Sequence, residues 1–154
     1  MDFEIRKANS KDTECIQKVL TESRAEYLPY APIKYSEQEI SYWIREILLA
    51  KSDVWVAVIN KLIVGICSSS SRGFSTWIDQ LYILPGYTGN TIGSSLLNSA
   101  VSYAKFQHIK VVCFKMNQPA QQFYKQHGFQ VVEERDGSDN EEDLPDLVLQ
   151  KKVF

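Results

Sequence analysis

Seventeen residues, LYILPGYTGNTIGSSLL from Leu81 to Leu97, constrain this chain more than any others. Their first part is apolar and β-prone, and Pro85-Gly86 stops it. A glycine-containing turn follows. Ile92, Leu96, Leu97, Ala100 and Ala104 then recur at helical spacing, predicting the longest helix of the chain over Gly89–Phe106. A strand that runs straight into a helix points to an α/β domain. The start of a helix presents N–H groups without intrahelical partners and a partial positive charge, so this turn suits a phosphate. No Gly-Lys-Ser or Gly-Lys-Thr follows, which excludes a Walker-type loop. No GxGxxG stands here, which excludes the dinucleotide fingerprint.

The flanking elements read as follows. Phe3–Arg6 alternates as a first strand, and Asn9, Ser10 and Asp12 offer caps for a helix carrying Ile16, Val19, Leu20 and Ser23. Pro29 and Pro32 break it. Ser36 and Glu39 form a capping box for a second helix, with Ile40, Trp43, Ile44, Ile47 and Leu48 as its apolar stripe. Val54–Ile59 and Leu62–Cys67 flank Asn60-Lys61, a two-residue hairpin turn. Ser68–Ser71 reads as a strand end or loop. Thr76–Leu84 and Lys110–Phe114 read as strands. Pro119–Gln126 is a short helix closed by Gly128. Phe129–Val132 and Leu147–Val153 close the chain as paired strands. The order is β-α-α-β-β-β-α-β-α-β-β, a mixed sheet flanked by helices.

With 154 residues, this is the length of one domain able to bury its own core. The longest apolar runs are six residues, against about 20 for a membrane helix. The start MDFEIRK has no signal-peptide layout. Cys15, Cys67 and Cys113 are far apart and form no CxxC pair, so neither a zinc site nor a redox dithiol is expected. Buried free thiols in a cytosolic protein are the simplest reading. The net charge of −2 hides a split: residues 133–146 carry −7 and the rest of the chain +5. A basic field for nucleic acid is therefore absent.

The run from Leu81 resembles the pyrophosphate loop of the GNAT superfamily of acetyl-CoA-dependent N-acetyltransferases. The match falls on Leu81, Tyr82, Pro85, Gly89, Ile92, Gly93, Leu96 and Leu97. A second segment, MNQPAQQFYKQHGF, resembles the family's N-x-x-A-x-x-F-Y-x-x-x-G-F run through Asn117, Ala120, Phe123, Tyr124, Gly128 and Phe129. The element order also fits the family fold along the whole chain, read as one domain over residues 1–154. DGSDNEEDLPD, Asp136–Asp146, is similar to a hairpin of a small bacterial subgroup. Two positions depart from the pattern: the family's Gln or Arg falls on Thr88, and its first motif glycine on Thr91. Glycine there lets backbone approach the pyrophosphate closely.

The resemblance implies a direct transfer of acetyl from acetyl-CoA to a primary amine, with no metal. It implies that the backbone of Leu81, Tyr82 and Ile83 pairs with the pantetheine arm. The N–H groups of Gly89, Asn90, Thr91, Ile92, Gly93 and Ser94, with Thr88, would face the phosphates. Tyr124 matches the family's general acid, since a tyrosine is neutral at pH 7 and can protonate a departing thiolate. Read without the family, Tyr124 is a packing residue of an amphipathic helix. Asn117 matches the family's pantetheine contact, and its plain reading is a helix cap. Asp79 is the weak candidate for general base, its plain reading a structural or solvated carboxylate. His108 and His127 read as surface residues.

Tyr27 and Tyr30, beside the prolines, are the acceptor-lining candidates. Tyr35 and Trp43 are lesser ones, and Trp43 reads as core. The acidic 133–146 segment would draw a cationic amine acceptor, small-molecule or protein, and its plain reading is a solvated loop. No membrane or nucleic-acid partner is expected, and exposed sheet edges leave a homodimer open. Two other functions stand beside transfer: an acyl-CoA-binding module without turnover, and an interaction protein that uses the acidic loop.

Overall fold

Alternation and turn chemistry fix most of the strands. The computed structural model describes residues 2–89 and 91–154. Its strands are β1 (Glu4–Lys7), β2 (Asp53–Ile59), β3 (Leu62–Arg72), β4 (Ser75–Ile83), β5 (His108–Phe114), β6 (Gln130–Arg135) and β7 (Asp146–Lys152). They form a mixed seven-stranded sheet in the order β1-β2-β3-β4-β5-β7-β6. The helices are α1 (Thr13–Tyr27), α2 (Glu37–Trp43), α3 (Leu49–Lys51), α4 (Ile92–Ser102) and α5 (Gln118–Gln126). The chain divides into two compact units, one reaching Ser70 and resuming over Gln80–Tyr103, the other made of Ser71–Asp79 and Ala104–Phe154.

In the first unit β1, β2 and β3 are antiparallel, with Ile5 opposite Ala57 and Val56 opposite Ile66. Asn60 and Lys61 join β2 to β3 with φ of 47° and 68°, the backbone of a type I′ hairpin turn. The serine run is not a loop. Ser68 and Ser69 lie inside β3, opposite Val54 and Asp53, and are buried. Their place is fixed by the β2 ladder, which overrides the low strand propensity of serine.

Asp12 completes a capping box with Asn9 at the short 3-10 turn, Ser10–Asp12, that leads into α1. Its carboxylate takes two hydrogen bonds from Arg6, at 2.9 and 3.0 Å, and one from the Asn9 N–H at 2.8 Å. The Arg6 guanidinium holds this carboxyl below its ordinary range, against the opposing effect of burial. Ser36 and Glu39 make the expected capping box at the start of α2. Between α2 and α3, Ile44–Leu48 forms a π-helical turn. The extra residue in that turn rotates the stripe: Ile44 and Leu48 are buried, but Ile47 faces out and Trp43 is only half-buried.

α4 is shorter than the spacing predicts, ending at Ser102, so α1 with 15 residues is the longest helix. Phe106 instead packs edge-on against Phe74, 6.5 Å between ring centroids. α4 lies on β1 and β2, and Gly65 in β3 makes room for it. A Cβ at Gly65 would meet Leu96 Cδ1 at 3.0 Å and Ile83 Cδ1 at 2.9 Å.

In the second unit β5 runs parallel to β4 over Ser75–Ile78 and antiparallel to β7 along its whole length. Ile109, Val111, Cys113, Leu147 and Leu149 are buried, together with Tyr124 of α5 and Phe129. Burial and the neighbouring Asp146 push the Cys113 thiol up to about 11, with Lys125 opposing. Cys113 and Cys67 are buried as expected, but Cys15 is exposed on α1.

Candidate active site

In the first unit the end of β4 is held by residues of α1. Ser23, 1% exposed, donates from Oγ to the Ile83 carbonyl at 2.8 Å. Arg24 donates to the Tyr82 hydroxyl at 3.3 Å and to the Ala31 carbonyl at 2.7 Å. The Leu84 N–H reaches the Val64 carbonyl at 2.7 Å and ends the strand. Neither Ser23 nor Arg24 was marked as functional by the sequence. The available signal was a small polar residue, Ser23, standing on the buried stripe of α1.

The turn after β4 is built on left-handed backbone. Gly86, Gly89 and Thr91 have φ of 94°, 80° and 64°. The Tyr87 N–H closes onto the Leu84 carbonyl at 3.1 Å, and the Ser95 N–H makes a helical bond to the Thr91 carbonyl at 3.0 Å. Thr88, Gly89 and Thr91 are exposed. Ile92 is buried, so only its backbone can face a ligand, and Gly93 and Ser94 are half-buried. An added Cβ at Gly89 would meet nothing within 4 Å, which leaves open space beside the turn. Asn90 lies outside the described residues. Thr91 is the N-cap of α4 in the αL region, where glycine is the favoured residue.

Tyr27, at the end of α1, is 45% exposed, and Tyr30, within the Leu28–Ala31 turn, is half-buried. Tyr35 is exposed as well.

In the second unit Asn117 caps α5, its Oδ1 accepting from the Ala120 N–H at 3.2 Å. Tyr124 is 6% exposed and packs edge-on against Phe123 and Phe129, with centroids 5.2 and 5.4 Å away. Asp79 accepts from Arg72 at 2.7 Å, and that guanidinium also lies 4.6 Å over the Trp77 ring. His127 has Nδ1 2.8 Å from the Phe123 carbonyl and packs at a tilt against the Phe123 ring, 4.5 Å between centroids, the surroundings of a structural histidine. His108 is a β5 residue opposite Lys152.

The acidic segment is an ordered hairpin. Asp146, 2% exposed, accepts from Arg135 at 2.7 and 2.9 Å and from Asn140 at 3.1 Å. Burial raises the pKa of this carboxyl, but Arg135 and Asn140 outweigh it and hold the group below its ordinary range. Asn140 also bonds both backbone groups of Leu144. Lys115 pairs with Glu134. Glu133, Asp136, Asp139 and Asp143 are exposed.

A mixed seven-stranded sheet in this order, flanked by helices, is the fold the chain shares with solved acetyltransferases of the GNAT family. The family description "Acetyltransferase (GNAT) domain" matches residues 50–131, and the chain belongs to that family. It is 31% identical to the spermidine N(1)-acetyltransferase of Thermoplasma acidophilum, over 90% of this chain and 94% of that one. It is 34% identical to the uncharacterized N-acetyltransferase YafP of Escherichia coli K12, over 66% of this chain and 65% of that protein's length. Among solved structures it superposes on the PaiA N-acetyltransferase of Thermoplasma acidophilum in complex with coenzyme A. There the TM-score is 0.77, the identity 27%, and the coverage 99% of both chains. Among the described residues no helix is long and apolar enough to cross a membrane.

Proposed function

We propose that the chain, acting as one domain, moves an acetyl group from acetyl-CoA to a primary amine. The observation that carries this reading is the turn after β4: left-handed at Gly86, Gly89 and Thr91, open beside Gly89, and leading into the N-terminus of α4. It fits a pyrophosphate by backbone alone, since residues 87–94 hold no Lys or Arg. Thr88, Gly89, Asn90, Thr91, Ile92, Gly93 and Ser94 would hold that end of acetyl-CoA. Leu81, Tyr82 and Ile83 would hold the pantetheine arm as an added strand, with Asn117 as a further contact. The β4–β5 ladder runs only to Ile78, which supports this role for the end of β4. The thioester supplies the acyl group. An N–H of β4 would polarise its carbonyl in the manner of an oxyanion hole.

Tyr124 serves in this reading as general acid to the departing thiolate. The ion pair of Asp79 with Arg72 supports a structural role for that carboxylate over a base role. Tyr27 and Tyr30 line the acceptor. The outward acids of the hairpin favour a cationic amine, of which spermidine, the substrate in the name of one relative, is an example. The free cysteines support a reducing, cytosolic setting.

The test is thiol release from acetyl-CoA across an amine panel that includes spermidine. Tyr124→Phe should lower kcat by about a hundredfold or more, the scale of general acid catalysis, with acetyl-CoA affinity retained in calorimetry. Unchanged turnover in that variant removes the general-acid role. A second reading, an acyl-CoA-binding module without transfer, draws on the β-branched Thr91 at a glycine-favouring backbone position. Tight acetyl-CoA binding with no turnover on any amine would select it.

A further inference from the structure

We infer that Arg24 is a positioning residue for the amine acceptor, holding the Tyr27–Tyr30 turn in register with the end of β4. The inference rests on the acetyl-transfer reading above. Arg24 sits in the last turn of α1, where its carbonyl accepts from the Leu28 N–H at 2.9 Å. One guanidinium nitrogen donates to the Ala31 carbonyl and another to the Tyr82 hydroxyl. The planar fork of arginine can serve both acceptors at once, which the single ammonium of lysine does less well. The neighbouring Ser23 fixes the Ile83 carbonyl. The same turn of helix therefore binds the proposed thioester strand and the proposed acceptor segment.

Residues 28–35 form neither helix nor strand. Leu28 and Ala31 are buried, while Tyr27 and Tyr35 are exposed. The Ala31 N–H also reaches the Leu28 carbonyl at 3.0 Å. The segment is thus pinned at its buried residues and by Arg24, and its aromatic side chains are left facing outward or half-covered. Loss of the guanidinium leaves the buried Ala31 carbonyl short of a charged donor, and the turn then samples other conformations. An acceptor must restore the ordered form on binding, so its apparent affinity falls by the fraction of time the turn spends ordered. Acetyl-CoA, held by the β4 backbone and the α4 turn in this reading, is not subject to that loss.

The experiment compares the unaltered protein with Arg24→Leu, Arg24→Lys and Tyr82→Phe, using spermidine as probe amine. Arg24→Leu should raise the spermidine KM about tenfold or more, the scale of a hydrogen bond from a charged donor. Its kcat should stay within about threefold, the pattern of lost uniform binding, and calorimetry should find acetyl-CoA affinity nearly unchanged. Arg24→Lys should fall between the two. Tyr82→Phe, which removes only a hydroxyl, should shift KM the same way by a smaller factor and guards against a misfolded leucine variant. An unchanged spermidine KM in an active Arg24→Leu protein overturns the positioning role alone. A parallel fall in kcat, acetyl-CoA affinity and thermal stability also overturns it, in favour of a structural role. No turnover by the unaltered protein on any amine overturns the transfer reading and this inference with it.

Discussion

Thr91 stands where glycine would relieve the backbone, and Thr91→Gly should therefore stabilise the protein. Its φ of 64° and ψ of 2° put a β-branched side chain in the αL well. Holding a non-glycine residue there costs about 1–3 kcal/mol. Glycine removes that strain but adds freedom to the unfolded chain, an opposing effect of about 0.5–1 kcal/mol. Thr91 is exposed, so little buried surface is lost with the side chain. The balance is a gain of about 1 kcal/mol, or roughly 2–4 °C in Tm for a chain of this size. Thr91→Val keeps the branching and should give no gain. Urea and thermal unfolding measure both, and calorimetry with acetyl-CoA adds a second readout. If the turn cradles a pyrophosphate, glycine should also tighten binding by letting the backbone approach. Equal stability of Thr91→Gly and Thr91→Val would refute the strain argument. A gain in stability with weaker acetyl-CoA binding would show instead that the threonine side chain contributes to the ligand.

Three further outcomes follow from the second unit and α1. Asp146→Asn should cost about 2 kcal/mol in urea unfolding, below the usual value for a broken buried pair because Arg135 keeps 33% of its side chain in solvent. The native carboxyl of Asp146 titrates below its ordinary value, so its contribution is complete above the unfolded pKa and is lost as pH falls through the folded one. The unaltered protein should lose stability on acidification below about pH 4, and Asp146→Asn should lose less over the same range. Gly137→Ala should be more damaging: an added Cβ would run into the backbone of Leu144 at a φ of 93°, and a loss of about 3 kcal/mol or more in thermal unfolding is expected. In native protein at pH 8 a thiol reagent should modify the exposed Cys15 first, while Cys113, pushed up to about 11, should react only on unfolding.

The parts of the fold that were legible in the sequence are those set by nearest neighbours along the chain. Asn60-Lys61 reads as a turn because asparagine tolerates positive φ, and Ser36 with Glu39 starts α2 because their side chains satisfy each other's backbone. The π turn at Ile44–Leu48 was not legible. The apolar spacing of Ile40, Trp43, Ile44, Ile47 and Leu48 fits an unbroken helix equally well, and only packing decides that Ile47 turns outward. Ser68 and Ser69 read as either strand end or loop for a related reason: local propensity does not choose, and the ladder with β2 places them in the closing part of β3. The same division runs through the site. Thr91 could be recognised as a departure from a glycine pattern, since that comparison is local. Arg24 could not be, because a long cation near the end of a surface helix reads as solvated until its partners are known. Those partners, Ala31 and Tyr82, lie 7 and 58 residues away. One of them comes from the segment proposed to meet the amine and the other from the strand proposed to meet the thioester. A residue that links two such segments belongs to neither motif, so no motif comparison could have found it.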